Sequence, residues 1–368
     1  MREVLIALDE QIFKNRNFGE VKLVPKETVT RRRILTADFI IENLPMRWYR
    51  VWVEEEQKFI PFCPLRIVLG LNKFQRNSQN LIERIWSFLG KGKRRGDITD
   101  IFNSIGINFG ERLVTSLLRK IDLDNQEVKP VKIKQLFITA DEATTPCRVE
   151  NRKVEPITTR IACFYELHKN NKITFKDAYF RDYRKGEKRN LDEWTEEVKN
   201  DIKKKFILLN QKIIVKSDGA PWIKKFAKAI NAKWMLDRFH CNRYLNWDYD
   251  HLPPKKRKKY INQGIKLLDK GEITKLTEIL NQDALTSKRK VQKKQFKSSS
   301  NYFTRNAEGI INLKGNNFGS PESDVFKVVK FNVGNGNRIF GLESFKRLKQ
   351  LRIIYFQKEA KQRKRKRA

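Results

Sequence analysis

The sequence predicts an α/β catalytic domain preceded by a β-rich segment and a helical pair, and three observations carry that reading. Residues 130–248 alternate strand-like runs with amphipathic helices, an order that builds a sheet covered by helices. Residues 20–63 hold short alternating runs rich in Val, Ile and aromatics, the composition of a half-buried sheet. Residues 77–122 repeat apolar side chains at spacings of three and four, the period of a helix.

Met1 to Lys14 reads as a short helix, and VKLVP, TRRRILT, RWYRVWVEEE and QKFIPFC as a twisted hairpin or small sheet. In QNLIERIWSFLGK the apolar stripe is Leu81, Ile82, Ile85, Trp86 and Leu89. DITDIFNSIGINFGERLVTSLLRKI then reads as helix, turn, helix, with Asp97 as the N-cap and Gly106 ending the first helix. A DNA-binding helix-turn-helix would bring Arg112, Ser116 and Arg119 near a groove; an ordinary helical hairpin has the same pattern.

From Pro130 the strands are KIKQLFITADE, ITTRIACFYELH and NKITFKDAYFRDY. DEWTEEVKNDIKKKF is a helix with acids at its start and lysines at its end, as the helix dipole favours. KIIVKSDGA is a fourth strand, PWIKKFAKAIN a helix and AKWMLDR a short strand. A long polar helical stretch follows, with its apolar stripe at Ile261, Ile265, Leu268, Ile273, Leu276 and Leu280. The serines near Ser298 read as a linker. The domains expected are 1–72 (helix and β-rich), 73–129 (helical), 130–248 (α/β), 249–300 (helical), 301–357 (closing part) and 358–368 (basic disordered tail).

Lys and Arg number 79 against 43 Asp and Glu, a net charge of +36. Such a chain repels itself unless a polyanion neutralises it, and nucleic acid is the commonest such partner. The rival, an anionic membrane surface, calls for a long basic amphipathic helix, and none stands out. Four cysteines without a C-x-x-C pair, and three histidines, disfavour a structural zinc site and suit a reducing compartment. The longest apolar run, Phe59 to Leu71, contains two prolines and an arginine and is too short to span a bilayer. Acids in the first residues oppose a signal peptide. The expectation is a soluble cytoplasmic protein with no membrane partner.

Three acids sit where chemistry can be organised: Asp141 after LFITA, Asp218 after KIIVKS, and Glu308 at the start of a helix. A carboxylate at a strand end is rigidly held and points into the crevice beyond the sheet. Several together repel unless a cation lies between them, and Mg²⁺ binds through one or two carboxylates plus substrate phosphates. Each aspartate also fits a helix cap or turn, and Glu308 alone says little.

KSDGAPWIKK followed by MLDRFHCNRY resembles the DDE transposases of bacterial insertion sequences, ISLre type. The matching words are Ser217-Asp218-Gly219-Ala220-Pro221-Trp222-Ile223 and Leu236-Asp237-Arg238-Phe239-His240-Cys241-Asn242-Arg243-Tyr244. Ala140-Asp141-Glu142 and Ala307-Glu308-Gly309 match the family's first and last acid segments, and the likeness covers roughly residues 130 to 350. The chain departs from the family at Ala143-Thr144-Thr145, and it lacks the histidine that follows the last acid.

The resemblance implies an RNase H-like mixed sheet with helices, interrupted by an all-helical insertion between Asp218 and Glu308. It implies that Asp141, Asp218 and Glu308 coordinate two Mg²⁺ ions, with Mn²⁺ as a substitute. Water would cut the element's ends, and the 3′-hydroxyl released would attack target DNA. Partners would be double-stranded DNA, both element ends and target, and further copies of the chain in a homo-oligomer. The setting would be prokaryotic and nucleoid-associated. Asp237 and His240 would position DNA or support the metal site, the alternative for His240 being a packed, hydrogen-bonded ring. Trp222 would stack on a displaced base or belong to the core. Arg243 and the run Lys255, Lys256, Arg257, Lys258, Lys259, with the C-terminal KQRKRKR, would bind phosphate or form a solvated face. Two other function classes fit the same residues: a catalytically inactive DNA-binding protein derived from a transposase, and an RNase H-like nuclease.

Overall fold

The computed structural model describes residues 1–71, 76–119, 129–150, 153–168, 172–210, 212–313, 321–331 and 339–365. The chain divides into two units, Met1–Asp122 and Leu123–Ala368. The end of the helical segment expected to reach residue 122 lies outside the described residues. No helix among the described residues is long and apolar enough to cross a membrane.

The first unit opens with α1 (Arg2–Asn15) and the two-residue strands β1 (Asn17–Phe18) and β2 (Val21–Lys22). The expected hairpin or small sheet is an antiparallel meander of β3 (Val24–Leu35), β4 (Ile40–Val53) and β5 (Lys58–Phe62). Leu5 of α1 packs with Ile34, Ile41, Leu44 and Met46, and Ile12 with Leu23 and Tyr49. After α2 (Pro64–Val68) come three short helices, α3 (Gln79–Gly90), α4 (Arg95–Asn103) and α5 (Glu111–Arg119). Ser78 caps α3 by accepting from the Leu81 N–H at 3.2 Å. Asp97 does not cap α4 as expected. It lies inside the first turn and reaches back to accept the Arg94 N–H at 3.0 Å, which lets the helix begin earlier.

The second unit begins with β6 (Val131–Ile133), β7 (Leu136–Arg148), β8 (Val154–Leu167), β9 (Ile173–Tyr183), α6 (Leu191–Lys205), β10 (Phe206–Leu208), β11 (Ile213–Ser217), α7 (Pro221–Ala229) and β12 (Lys233–Leu236). The chain continues as α8 (Arg238–Asp248), α9 (Pro254–Lys270), α10 (Ile273–Thr286), α11 (Lys290–Arg305) and α12 (Ala307–Leu313). It closes with α13 (Pro321–Val325), a π-helical turn (Phe326–Lys330), β13 (Phe340–Gly341) and α14 (Leu342–Arg365). The main sheet runs β12-β11-β7-β8-β9, with β13 beside the far end of β7. β12, β11 and β7 are parallel, while β7, β8 and β9 form an antiparallel meander.

Strand alternation sorts side chains onto two faces. Ile138, Ala140, Val215 and Leu236 point into one core, with Trp194, Phe226 and the apolar sides of α8 to α11. Phe137, Ile214 and Met235 point into the other, under Val328, Phe345 and Ile353.

Three expectations change. Asp141 is not the last residue of its strand, because β7 goes on pairing with β8 as far as Arg148↔Val154. The serines near Ser298 are not a linker but part of α11. Ser299 and Ser300 are buried, small enough for a helix crossing, and the Ser299 hydroxyl donates to Asp248 at 2.7 Å. The basic tail expected to be disordered from residue 358 is helical to Arg365, because it continues α14, whose Phe345, Leu348 and Leu351 are buried.

Candidate active site

Register and alternation assemble the site. The β7–β11 ladder is parallel and ends with Lys216 opposite Thr139. Two residues further along each strand are Asp141 and Asp218, side by side where β11 stops and β7 continues. By parity Asp141 lies on the face of Thr139, Lys216 and Met235, not that of Ala140 and Ser217, and Asp218 is the residue that follows the last of β11. Asp218 is held by a turn in which its Oδ1 accepts the Ala220 N–H at 2.9 Å. Gly219 adopts φ +97°, and a Cβ there would meet Asn306 Oδ1 at 2.9 Å, so only glycine lets the turn lie this close to the end of α11. The Tyr302 hydroxyl donates to the Asp218 carbonyl at 2.8 Å, and its ring stacks on Tyr244 at 4.0 Å.

Burial pushes the Asp141 carboxyl up to about 6; the Glu142 N–H bonded to it at 2.7 Å works against that rise, and the charge of Asp218 adds to it. His240 and Lys330 pull it back down. His240 is itself tied to an acid. Its ring Nδ1 lies 3.2 Å from Asp237 Oδ2, and this hydrogen bond raises its pKa against the effect of burial. The charges of Asp218 and Glu322 favour the protonated ring as well. Asp237 is buried and also pairs with the fully buried Lys216 at 3.3 Å. Lys216, Asp237 and His240 therefore form a charged chain running from beneath the sheet end to the carboxylates.

The third acid expected in sequence is placed elsewhere. Glu308 is exposed in the first turn of α12, and the charge it acts on is that of Lys224. Glu322, in the first turn of α13, acts on His240 instead. Two residues on, Asp324 is buried against the sheet and accepts from Thr139 and Tyr165, both at 2.5 Å, which anchors α13 over β7. Glu322 is exposed, as Glu308 is, and no family word surrounds it; its mark in the sequence is a proline-led acidic helix start, Pro321-Glu322, after the long helical stretch.

Among the described residues no group of three or more His, Cys, Asp and Glu stands arranged to hold a metal ion. Two adjacent carboxylates, one with a raised pKa, are a donor pair whose repulsion a divalent cation would relieve.

Trp222 lies over the Arg160 guanidinium at 4.4 Å and edge-on to Trp194 at 5.4 Å, so it packs within the protein. Arg160 is buried and also pairs with Glu142 at 2.8 Å. Arg243, Lys255 and Lys256 are exposed, and Arg257 is partly covered. In the first unit Arg112, Ser116 and Arg119 share one shallow concavity with Arg95 and Thr115.

Residues 111–318 match the profile of a family described as "Uncharacterised protein family (UPF0236)", more than half of the chain. Similar proteins come from Caldanaerobacter subterraneus subsp. tengcongensis. One UPF0236 protein is 28% identical over 192 residues, 50% of this chain and 38% of that relative. Another is 28% identical over 190 residues, with the same shares, and its name joins eleven locus designations. The chain thus spans less than two fifths of the length of these relatives.

Proposed function

The chain belongs to the uncharacterised protein family UPF0236, and we propose that it is a metal-dependent DNA transposase that cuts the ends of a mobile element and joins them to target DNA. The observation that carries this reading is the pair Asp141 and Asp218 on adjacent parallel strands, with His240 between their field and that of Glu322. The sheet order, with three antiparallel strands flanked by two parallel ones, supports an RNase H-like reading of the fold. Charge supports a polyanionic substrate. A relative carried under eleven locus designations of one organism is what a sequence that copies itself leaves behind.

In this reading Asp141 and Asp218, with Glu322 as the third acid in place of Glu308, would hold Mg²⁺ or Mn²⁺, and the ion would supply activation of the attacking oxygen and stabilisation of the leaving one. Through that ion Asp141 and Asp218 would also help to hold the scissile phosphate. Asp237, itself paired with Lys216, orients His240, and the neighbouring acids favour its protonated form, which would offset carboxylate repulsion. Arg112 and Arg119 bind duplex DNA, and joining two ends calls for at least two copies of the chain.

The test is cleavage and strand transfer on DNA carrying the element's ends. Asp141→Asn, Asp218→Asn and Glu322→Gln should each lower metal-dependent cleavage by at least a hundredfold while duplex binding persists. Glu308→Gln should cleave as the unaltered protein does. Full cleavage by Asp218→Asn sinks the assignment; loss in Glu308→Gln with retention in Glu322→Gln returns the third position to Glu308. Salt-sensitive binding with no nicking by the unaltered protein would leave a DNA-binding protein only.

A further inference from the structure

Helix α8 presents an unusual outer face. Phe239 is 50% exposed and Trp247 is 55% exposed, and Arg243 and Asn246 are exposed between them. At about 100° per residue these four positions fall within about 100° of arc. The buried residues Cys241, Leu245 and Asp248 occupy the opposite side.

The strip begins at the carboxylates and ends among lysines. The Phe239 ring stands edge-on to His240 at 5.5 Å. Trp247 lies about 12 Å further along the helix axis. Beyond it, Arg257 of α9 reaches the Asn246 carbonyl at 3.4 Å, within the basic run Lys255 to Lys259. Gln295 of α11, a helix that also exposes Lys293, Lys294 and Lys297, bonds to the Trp247 carbonyl.

A partner helix would ask for an aliphatic stripe, and this face instead has an arginine at its centre and lysines at its edge. Its complement is anionic and offers flat apolar surfaces at intervals. An unpaired nucleic acid strand has both, because its bases can stack on aromatic rings while its phosphates meet cations. A duplex keeps its base faces stacked on one another and offers phosphates and base edges instead.

We propose that the outer face of α8 is a stacking platform for an unpaired DNA strand, with Phe239 and Trp247 each holding a base and Arg243 a phosphate between them. The proposal rests on the transposase reading for the origin of that strand, which would be a DNA end frayed or displaced beside Asp141 and Asp218.

Fluorescence anisotropy of the full chain with a labelled oligothymidylate and with a blunt duplex tests it. The Phe239→Leu/Trp247→Leu double variant keeps apolar bulk but removes the flat rings. It should weaken single-strand binding by roughly tenfold or more and leave duplex binding within about twofold. Phe239→Tyr/Trp247→Phe should restore most of the affinity. Trp52→Leu/Phe59→Leu, which removes an exposed aromatic pair of the first unit, should change neither.

The platform is overturned if the leucine variant, melting like the unaltered protein, binds the single strand normally. It is overturned equally if single-strand and duplex binding fall together, or if only the oligomeric state changes, which would make the face a contact between copies. Metal-dependent cleavage measured in parallel separates the two ideas. Cleavage without a single-strand effect keeps the transposase and removes the platform. The single-strand effect without cleavage does the reverse.

Discussion

Asp248 is a carboxyl closed off from water inside the helical part of the second unit, with the Ser299 hydroxyl as its donor. Burial pushes its pKa up to about 7; the Ser299 hydrogen bond opposes the rise, and Asp283 and Asp250 add to it. The fold therefore favours the protonated acid. Its contribution to stability is complete below the ordinary carboxylate range and is lost as pH rises through about 7, each tenfold gain in proton affinity being worth about 1.4 kcal/mol. We expect urea midpoints of the full chain to fall between about pH 4 and pH 7 from this group, and Asp248→Asn to flatten that slope. An unchanged slope in the variant would show that other groups set it. The same balance of burial against pairing governs Lys216, whose pKa burial lowers although Asp237 pulls it back. Side-chain identity alone could not separate such buried, paired charges from solvated ones. Trp222 makes the same point: a displaced base and a buried arginine are equally good neighbours for an indole, and only the fold showed Arg160 beneath it.

At the scale of elements, α12 lies against β12 through Gly309. A Cβ at that position would come within 2.6 Å of the Trp234 indole, whose Nε1 is tied to Ser217 Oγ at 3.0 Å. Alanine gains about 1 kcal/mol of helix propensity over glycine, but overpacking a fixed ring costs about 1–3 kcal/mol. The clash should win, and we expect Gly309→Ala to lower the melting temperature; an unchanged or higher value would mean that the indole can yield. The strands were readable because alternation survives in single segments: β8, β9, β11 and β12 lie on the runs expected of them. The length of β7 was not readable, since its last residues are held by pairing with β8 rather than by their own composition. Asp141 and Asp218 could be picked out as candidates from the short words around them, although only Asp218 stands at a strand end. Glu322 could not, because its place depends on which helix returns to the sheet, and that is decided by contacts such as Thr139 with Asp324.

For the whole molecule, a net charge of +36 makes affinity for DNA a statement about salt. Each phosphate neutralised contributes about 0.9 to the slope of log affinity against log salt. Removing Arg112 and Arg119 together should lower the duplex slope by about 2 if both contact phosphate, read from binding isotherms at several salt concentrations. An unchanged slope would return α4 and α5 to the role of an ordinary helical pair. Composition carries the net charge of +36 openly, but not how the second unit is organised around its sheet.

The hydrogen bond from Thr139 to Asp324 joins residues 185 apart in the chain. During synthesis Asp141 and Asp218 leave the ribosome long before α13 exists. A message cut short, or a ribosome stalled within helices α8 to α12, therefore yields a polypeptide with the first two acids and without Glu322. On the reading offered above, such a fragment retains nucleic-acid-binding surface but has no completed centre for cutting.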